Sequence, residues 1–321
     1  MVAISLQIEG QMGLTWPRWK RLVAEIESLG FAGLYRSDHF TNAFPPDEDS
    51  LELIVALTYL AEHMHYVRFG PLVAPLSFRH PALLVRQAAA LDDLSGGRMI
   101  LGVGTGWEER EHQLFGFDLG DVPTRLARLE EGLEVITRLL RSDEPVTYEG
   151  HFFQLREATL LPRPHRPGGP PILIGGNGPQ RTLPLVARYA DIWNGQFLTP
   201  EDYRERSARL DVLLSEMGRP RHSVKRTLYA WLHFGRTMEE LDQVLSWRHE
   251  FPELAHRSLD EVIQVLRSPE WWTRLVGTPE MLVEQIQAYA DAGVEELILV
   301  WFDLDNIEAL QGFAERILPR V

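Results

Sequence analysis

The 321-residue chain contains no cysteine. That absence excludes disulfides, zinc–thiolate sites, iron–sulfur clusters and thiol nucleophiles together, and it suits a reducing, cytoplasmic compartment. Lysine is almost as scarce. Of 32 basic residues only Lys20 and Lys225 are lysines, which leaves little for Schiff-base chemistry. Positive charge is in deficit overall: the formal net charge is −14, with none of the basic striping that marks a nucleic-acid binder. The opening MVAISLQIEGQ has no basic segment followed by an apolar core, so no signal peptide is expected. No apolar run reaches the ~18 residues of a membrane span. No metal site is expected: His63 and His65, two apart on a predicted helix, point away from each other. The acidic runs Asp47-Glu48-Asp49 and Glu108-Glu109-Glu111 read as solvated faces.

What is present is alternation. Short apolar runs predict strands at Val2–Ile8, Phe31–Arg36, Val67–Ala74, Arg98–Val103, Pro171–Gly175, Asp191–Gly195, Val224–Phe234 and Glu296–Phe302. Segments with 3.6-residue periodicity separate them, at Thr15–Leu29, Leu51–Met64, Pro81–Leu94, 107–142 with a break near Gly116–Val122, Pro179–Tyr189, Pro200–Gly218, Pro279–Ala292 and Asn306–Leu318. Strand–helix alternation of this kind predicts repeated βαβ units and a parallel sheet. The reading is one α/β domain, 1–321, folded as a (β/α)8 TIM barrel, with a doubly wound sheet as the competing architecture. Two insertions are expected: a short hairpin in EPVTYEGHFFQL before strand five, and a helical lid over Thr237–Val276, carrying Trp247, Phe251, Trp271 and Trp272, between strands seven and eight.

In such a barrel the chemistry sits on the loops after the strand C-termini. After strand two come Ser37, Asp38 and His39, and a histidine there can donate or accept a proton near neutral pH. After strand four, Gly104-Thr105-Gly106-Trp107 lets backbone approach a ligand closely and offers an indole to stack on a flat ring. It is not a dinucleotide fingerprint, because Trp107 stands where the third glycine would be. After strand five, Gly175-Gly176-Asn177-Gly178 opens a predicted helix whose N-terminus would suit a phosphate, with Arg181 to assist. No lysine follows these glycines, so this is not a P-loop.

Taken together, GFAGLYRSDHF (30–40), the stretch from Leu72 to Trp107 ending in GVGTGW, PPILIGGNG (170–178), VARYADIWN (186–194) and GTPEMLVEQIQAYADAGVEELIL (277–299) resemble the luciferase-like monooxygenase superfamily, in particular its F420-dependent oxidoreductases. The resemblance implies a barrel mouth that holds a flavin-type ring, coenzyme F420, with FMN as the alternative. It implies that Asp38 and His39 lie beside the ring, His39 being the catalytic proton donor or acceptor. Leu72, Val73 and Ala74 would form a bulge behind the ring, Gly104 to Trp107 would border it, and Gly175 to Gly178 would take the phosphate. The implied activity is F420-dependent hydride transfer to or from a small, rather apolar substrate. The alternatives are an FMNH2-dependent monooxygenase and a non-catalytic flavin-binding barrel. The F420-dependent sugar-phosphate dehydrogenases carry a catalytic Glu where Trp107 stands, and their paired phosphate-binding lysines have no partners here, which speaks against sugar-phosphate oxidation. The resemblance further implies a homodimer, formed through the helices after strands two and three, and a separate flavin or F420 reductase.

Overall fold

Valine-, isoleucine- and leucine-rich runs form strands buried on both faces, as a parallel sheet covered by helices requires. A computed structural model describes residues 2–321. Its strands are β1 (Ala3–Ile8), β2 (Gly33–Arg36), β3 (Arg68–Pro71), β4 (Ala74–Pro75), β5 (Leu101–Gly104), β6 (Val146–Glu149), β7 (Gln154–Ala158), β8 (Ile172–Gly175), β9 (Ile192–Gln196), β10 (Lys225–Phe234), β11 (Leu275–Gly277) and β12 (Glu296–Val300). Apart from the β6–β7 hairpin they form one parallel sheet in the order β3-β2-β1-β12-β10-β9-β8-β5-β4, with β11 beside β10.

The expected third strand, Val67–Ala74, is therefore two pieces. Its first half, β3, pairs with β2, and its second half, β4, pairs with β5. The Leu72–Val73 peptide between them is cis. Phe69 also bridges to Met99 at the start of strand four. Both ends of the strand order thus lie on one stretch of chain, and the sheet closes on itself. With β3 and β4 counted as one strand, and β6, β7 and β11 set aside, the result is the (β/α)8 barrel read from the alternation.

The helices begin and end where local chemistry dictates. Proline occupies the first turn of helices Trp16–Leu29, Pro81–Leu94, Val122–Arg141, Pro200–Glu216 and Pro279–Asp291, where its missing N–H breaks no helical bond. The predicted break in 107–142 separates helix Glu109–Phe115 from Val122–Arg141, whose N-cap is Asp121. The helix expected at Pro179–Tyr189 runs from Thr182 to Tyr189, so Arg181 is its N-cap and not a residue within it.

Side chains alternate across each strand, and the two faces enter different cores. Leu228, Ala230, Leu232 and Phe234 of β10 join the large core between barrel and helices. Tyr35, Leu72, Ile100, Leu173, Ile192 and Ile298 point inward and plug the barrel, with Val73 and Tyr229 packed on top. The lid has its own small core, built from Leu241, Leu245, Leu254, Val262, Ile263, Leu266 and Val276. It is mostly helical, as expected, but β11 pins it to the upper half of β10, register Leu232 to Leu275. The hairpin before strand five is present, and Glu131 holds its turn by accepting the N–H groups of His151 and Phe152 at 2.9 and 2.8 Å.

Candidate active site

Above the plug, the inward positions divide the mouth into two unlike walls. On one side they are glycines: Gly102 and Gly104 of β5 and Gly175 of β8. The side chain of Val73 is pressed into the space they leave. A Cβ on Gly104 would meet Val73 Cγ2 at 2.4 Å, and one on Gly175 would meet Val73 Cγ1 at 3.7 Å. On the other side they are aromatic. Tyr229, Trp231 and His233 climb β10, and Phe197 and Phe302 pack against Trp231 with ring centroids 5.4 and 5.7 Å away. Glycine positions on one side and aromatic rings on the other are surfaces on which a flat ring can pack. The bulge residues of the sequence reading divide accordingly. Val73 is partly exposed at the mouth, Leu72 belongs to the plug, and Ala74 is buried in the outer core.

Hydrogen bonds tie the floor of the mouth together. Glu9, just past β1, accepts from Gln7 Nε2 at 3.0 Å, Gln11 Nε2 at 3.1 Å and the Tyr229 hydroxyl at 3.0 Å. Gln7 also donates to the Leu72 carbonyl at 3.1 Å, which fixes the chain beside the cis peptide.

His39 stands at the rim with its ring edge toward Trp107, centroids 5.6 Å apart. Its Nδ1 lies 2.8 Å from Glu111 Oε1, and the other oxygen of Glu111 accepts the Phe40 N–H at 2.8 Å. Glu111 is only 1% exposed and Glu108 is buried too. The expected solvated face of Glu108-Glu109-Glu111 is thus corrected: the short helix Glu109–Phe115 turns Glu111 inward under the strand-two loop. Burial alone would pull the His39 imidazole below its ordinary value. The bonded Glu111 carboxylate, helped by Glu9 and Asp38, more than offsets this, and His39 is raised. The protonated ring therefore stabilises the fold below about pH 6.5, and this contribution fades as pH rises through the folded value. Glu111 engages Nδ1, so Nε2 is the nitrogen left for chemistry.

The Asp38 side chain is buried, 7% exposed. Its carboxylate pairs with Arg79, which also bonds Glu52 at 2.7 Å. Burial pushes the Asp38 carboxyl up, and the guanidinium brings it only part of the way back. Asp38 thus holds the strand-two loop on the strand-three loop and acts as a support for His39.

The turns after strands four and five meet, as their glycines suggested. Thr105, Gly106, Trp107 and the segment Gly178–Thr182 line one cavity of about 490 Å³. Gly176 has φ +127° and Gly106 φ +76°, conformations that side chains disfavour. Asn177 is a staple. Its amide donates to the Gln196 carbonyl at 2.8 Å, and its Oδ1 accepts the Gln196 N–H at 2.9 Å. It therefore shapes the turn and offers a ligand only its backbone. Arg181 lines the same cavity. So does Arg125, a residue the sequence did not single out. Arg125 donates to the Gly106 carbonyl at 3.0 Å, and its Nε is buried without a partner. Among the described residues neither arginine forms a salt bridge, unlike Arg79, Arg166, Arg226 and Arg248. No helix among the described residues is long and apolar enough to cross a membrane.

The chain is similar to many known proteins. A family model described as luciferase-like monooxygenase matches residues 3–296. An F420-dependent glucose-6-phosphate dehydrogenase of Microbacterium testaceum (strain StLB037) is 30% identical, over 92% of this chain and 90% of its own. An FMNH2-dependent dimethylsulfone monooxygenase of Pseudomonas fluorescens (strain Pf0-1) is 29% identical, over 75% of this chain and 70% of its own. Among solved structures, an F420-dependent secondary alcohol dehydrogenase in complex with an F420–acetone adduct superposes with a TM-score of 0.82 at 18% identity, covering 100% and 99% of the two chains. With the family model spanning nearly the whole barrel, the chain belongs to the luciferase-like monooxygenase family.

Proposed function

We propose that the protein is an F420-dependent oxidoreductase whose barrel mouth holds the deazaflavin ring, with the phosphate end of the cofactor in the cavity between the strand-four and strand-five turns. The observation that carries this reading is that cavity itself. It joins two glycine turns that keep side chains away, and it presents Arg125 and Arg181 without a protein counter-ion. Exposed backbone and unpaired guanidinium groups suit a phosphodiester.

When bound, the cofactor supplies hydride transfer at its ring. The chain supplies the rest. Val73 and the glycine wall set the ring's depth. Glu111 fixes His39 with Nδ1 toward the carboxylate, so Nε2 can hold or release the substrate proton at the rim. Phe197, Trp231 and Phe302 exclude water and favour an apolar substrate. The FMN reading rests on the same cavity and on relatives such as the dimethylsulfone monooxygenase. The F420 reading has the support of the curated relative with the longer coverage and of the two unpaired arginines, which suit a tail carrying more than one negative charge.

Fluorescence titration tests this. F420 is expected to bind at micromolar concentration or tighter, with FMN competing weakly. The double variant Arg125→Gln/Arg181→Gln is expected to bind F420 about ten- to a hundredfold more weakly, since each charge-assisted bond contributes about 1.5–3 kcal/mol before solvent screening reduces it. Tight FMN binding with no affinity for F420, together with oxygen-dependent turnover on FMNH2, would reverse the choice.

A further inference from the structure

Arg274, at the base of the lid, is 7% exposed and sits in a box of four indoles. Its guanidinium carbon lies 4.6 Å from the ring centre of Trp231, 5.1 Å from Trp247, 5.7 Å from Trp271 and 5.9 Å from Trp272. Its Nε donates to the Trp271 carbonyl at 3.2 Å, and its Nη1 is 3.2 Å from His233 Nε2. The remaining nitrogen, Nη2, has no hydrogen-bond partner among the described residues, yet it is not among the sealed polar atoms, so it keeps contact with solvent. Among the described residues no carboxylate forms a salt bridge with Arg274, and no carboxylate acts on its charge.

Two of the three other buried arginines are paired: Arg226 meets Asp211 and Arg248 meets Asp242. The partly buried Arg79 and Arg166 likewise meet Asp38 and Asp92. Arg36 lacks a contact pair but feels Asp38, Glu9 and Glu52. Around Arg274 burial is the sole influence, and it pulls the group down to about 10. Burial and the neighbouring guanidinium pull His233 down to about 3. At neutral pH the box therefore holds one cation, a neutral imidazole and no compensating acid. Indole faces offset part of that cost, but an unpaired buried charge is expensive.

We propose that Arg274 is an anion anchor for the substrate, taking through Nη2 the carboxylate of an otherwise apolar molecule whose body lies against Trp231 and Phe302. This rests on the reading of the mouth as the substrate's entrance. Trp231 is the shared wall: one face meets Arg274, while its edge reaches the mouth, where Nε1 donates to the Tyr229 hydroxyl at 3.1 Å. A single guanidinium with one free nitrogen matches a monoanion. A phosphate dianion would call for a second cation, and Lys225 is at the far end of β10, paired with Glu296.

Calorimetric titration of the cofactor-free protein with 2-naphthoate, 2-naphthamide and 2-naphthyl phosphate tests the assignment. The carboxylate is expected to bind about tenfold or more tightly than the amide, and more tightly than the phosphate. Arg274→Gln is expected to erase that preference with amide affinity unchanged, and Arg274→Lys, which keeps the charge, to retain part of it. Equal affinities in the wild type, a preference for the phosphate, or a preference that survives Arg274→Gln would overturn the proposal. If Arg274→Gln fails to fold, the wild-type preference and Arg274→Lys decide. A parallel F420 titration separates the two readings. A protein that binds F420 without selecting the carboxylate sinks the anchor alone, and one that selects the carboxylate without binding F420 or FMN sinks the cofactor reading alone.

Discussion

Replacement of His39 by Gln is expected to slow turnover by roughly two to four orders of magnitude, with F420 affinity nearly unchanged. His39 offers the mouth a single nitrogen, Nε2, because Glu111 engages the other at 2.8 Å. Glutamine can hydrogen-bond from the same place but cannot carry a proton at neutral pH. Replacement of Glu111 by Gln separates positioning from chemistry. It keeps the shape and one bond to the ring but removes the charge that raises His39 against burial. The expected loss is smaller, roughly 10- to 100-fold, the range found for carboxylates that orient metal-bound imidazoles. It comes with a signature that mere structural damage would not give: whichever limb of the pH–rate profile reports His39 moves to lower pH. An unchanged profile in the Glu111→Gln variant would show that the pair only packs.

The second large effect concerns closure of the barrel. Gly70 and Gly102 face each other's strands at the seam where β3 meets β5. A Cβ on Gly102 would lie 2.0 Å from the Pro71 carbonyl oxygen, and one on Gly70 would lie 2.0 Å from that of Ile100. Both obstacles are backbone, so no rotamer change relieves them, and the strands would have to part at the place where the sheet becomes a barrel. Gly102→Ala is therefore expected to cost about 3 kcal/mol or more, lowering the thermal midpoint by roughly 6 °C or more. Gly96→Ala is the control. Its φ is +67° with no heavy atom within 4 Å, so it incurs only the penalty for a left-handed residue, about 1 kcal/mol. Equal losses for the two variants would show that backbone strain, and not the close approach of strands, governs the seam.

Much of this was legible in the chain because the signals were local. Continuous apolar runs marked strands buried on both faces, Pro and Gly marked the helix ends, and the glycine turns after strands four and five marked a place where side chains must be absent. What escaped was set by tertiary partners. Glu111 sits in an acidic run that looks solvated, and only the return of the strand-two loop, 72 residues away in sequence, buries it. Arg125 belongs to an ordinary amphipathic helix, and nothing local says that one of its turns overlooks the cavity. β11 is three residues long, too short for a period to show. The strand-three break left no signal in the pattern, since Leu72, Val73 and Ala74 are all apolar while their side chains enter the plug, the mouth and the outer core.

The claim on which the rest depends is that a flavin-type ring lies in the barrel mouth beside His39. Nitrogen NMR of histidine-labelled protein, with His39→Gln to assign the signal, tests it directly. On addition of F420 the His39 Nε2 resonance is expected to shift while those of His63 and His65, on the outer helix face and the loop that follows it, stay in place. F420 that binds without moving His39, or that moves the outer histidines instead, would contradict the account.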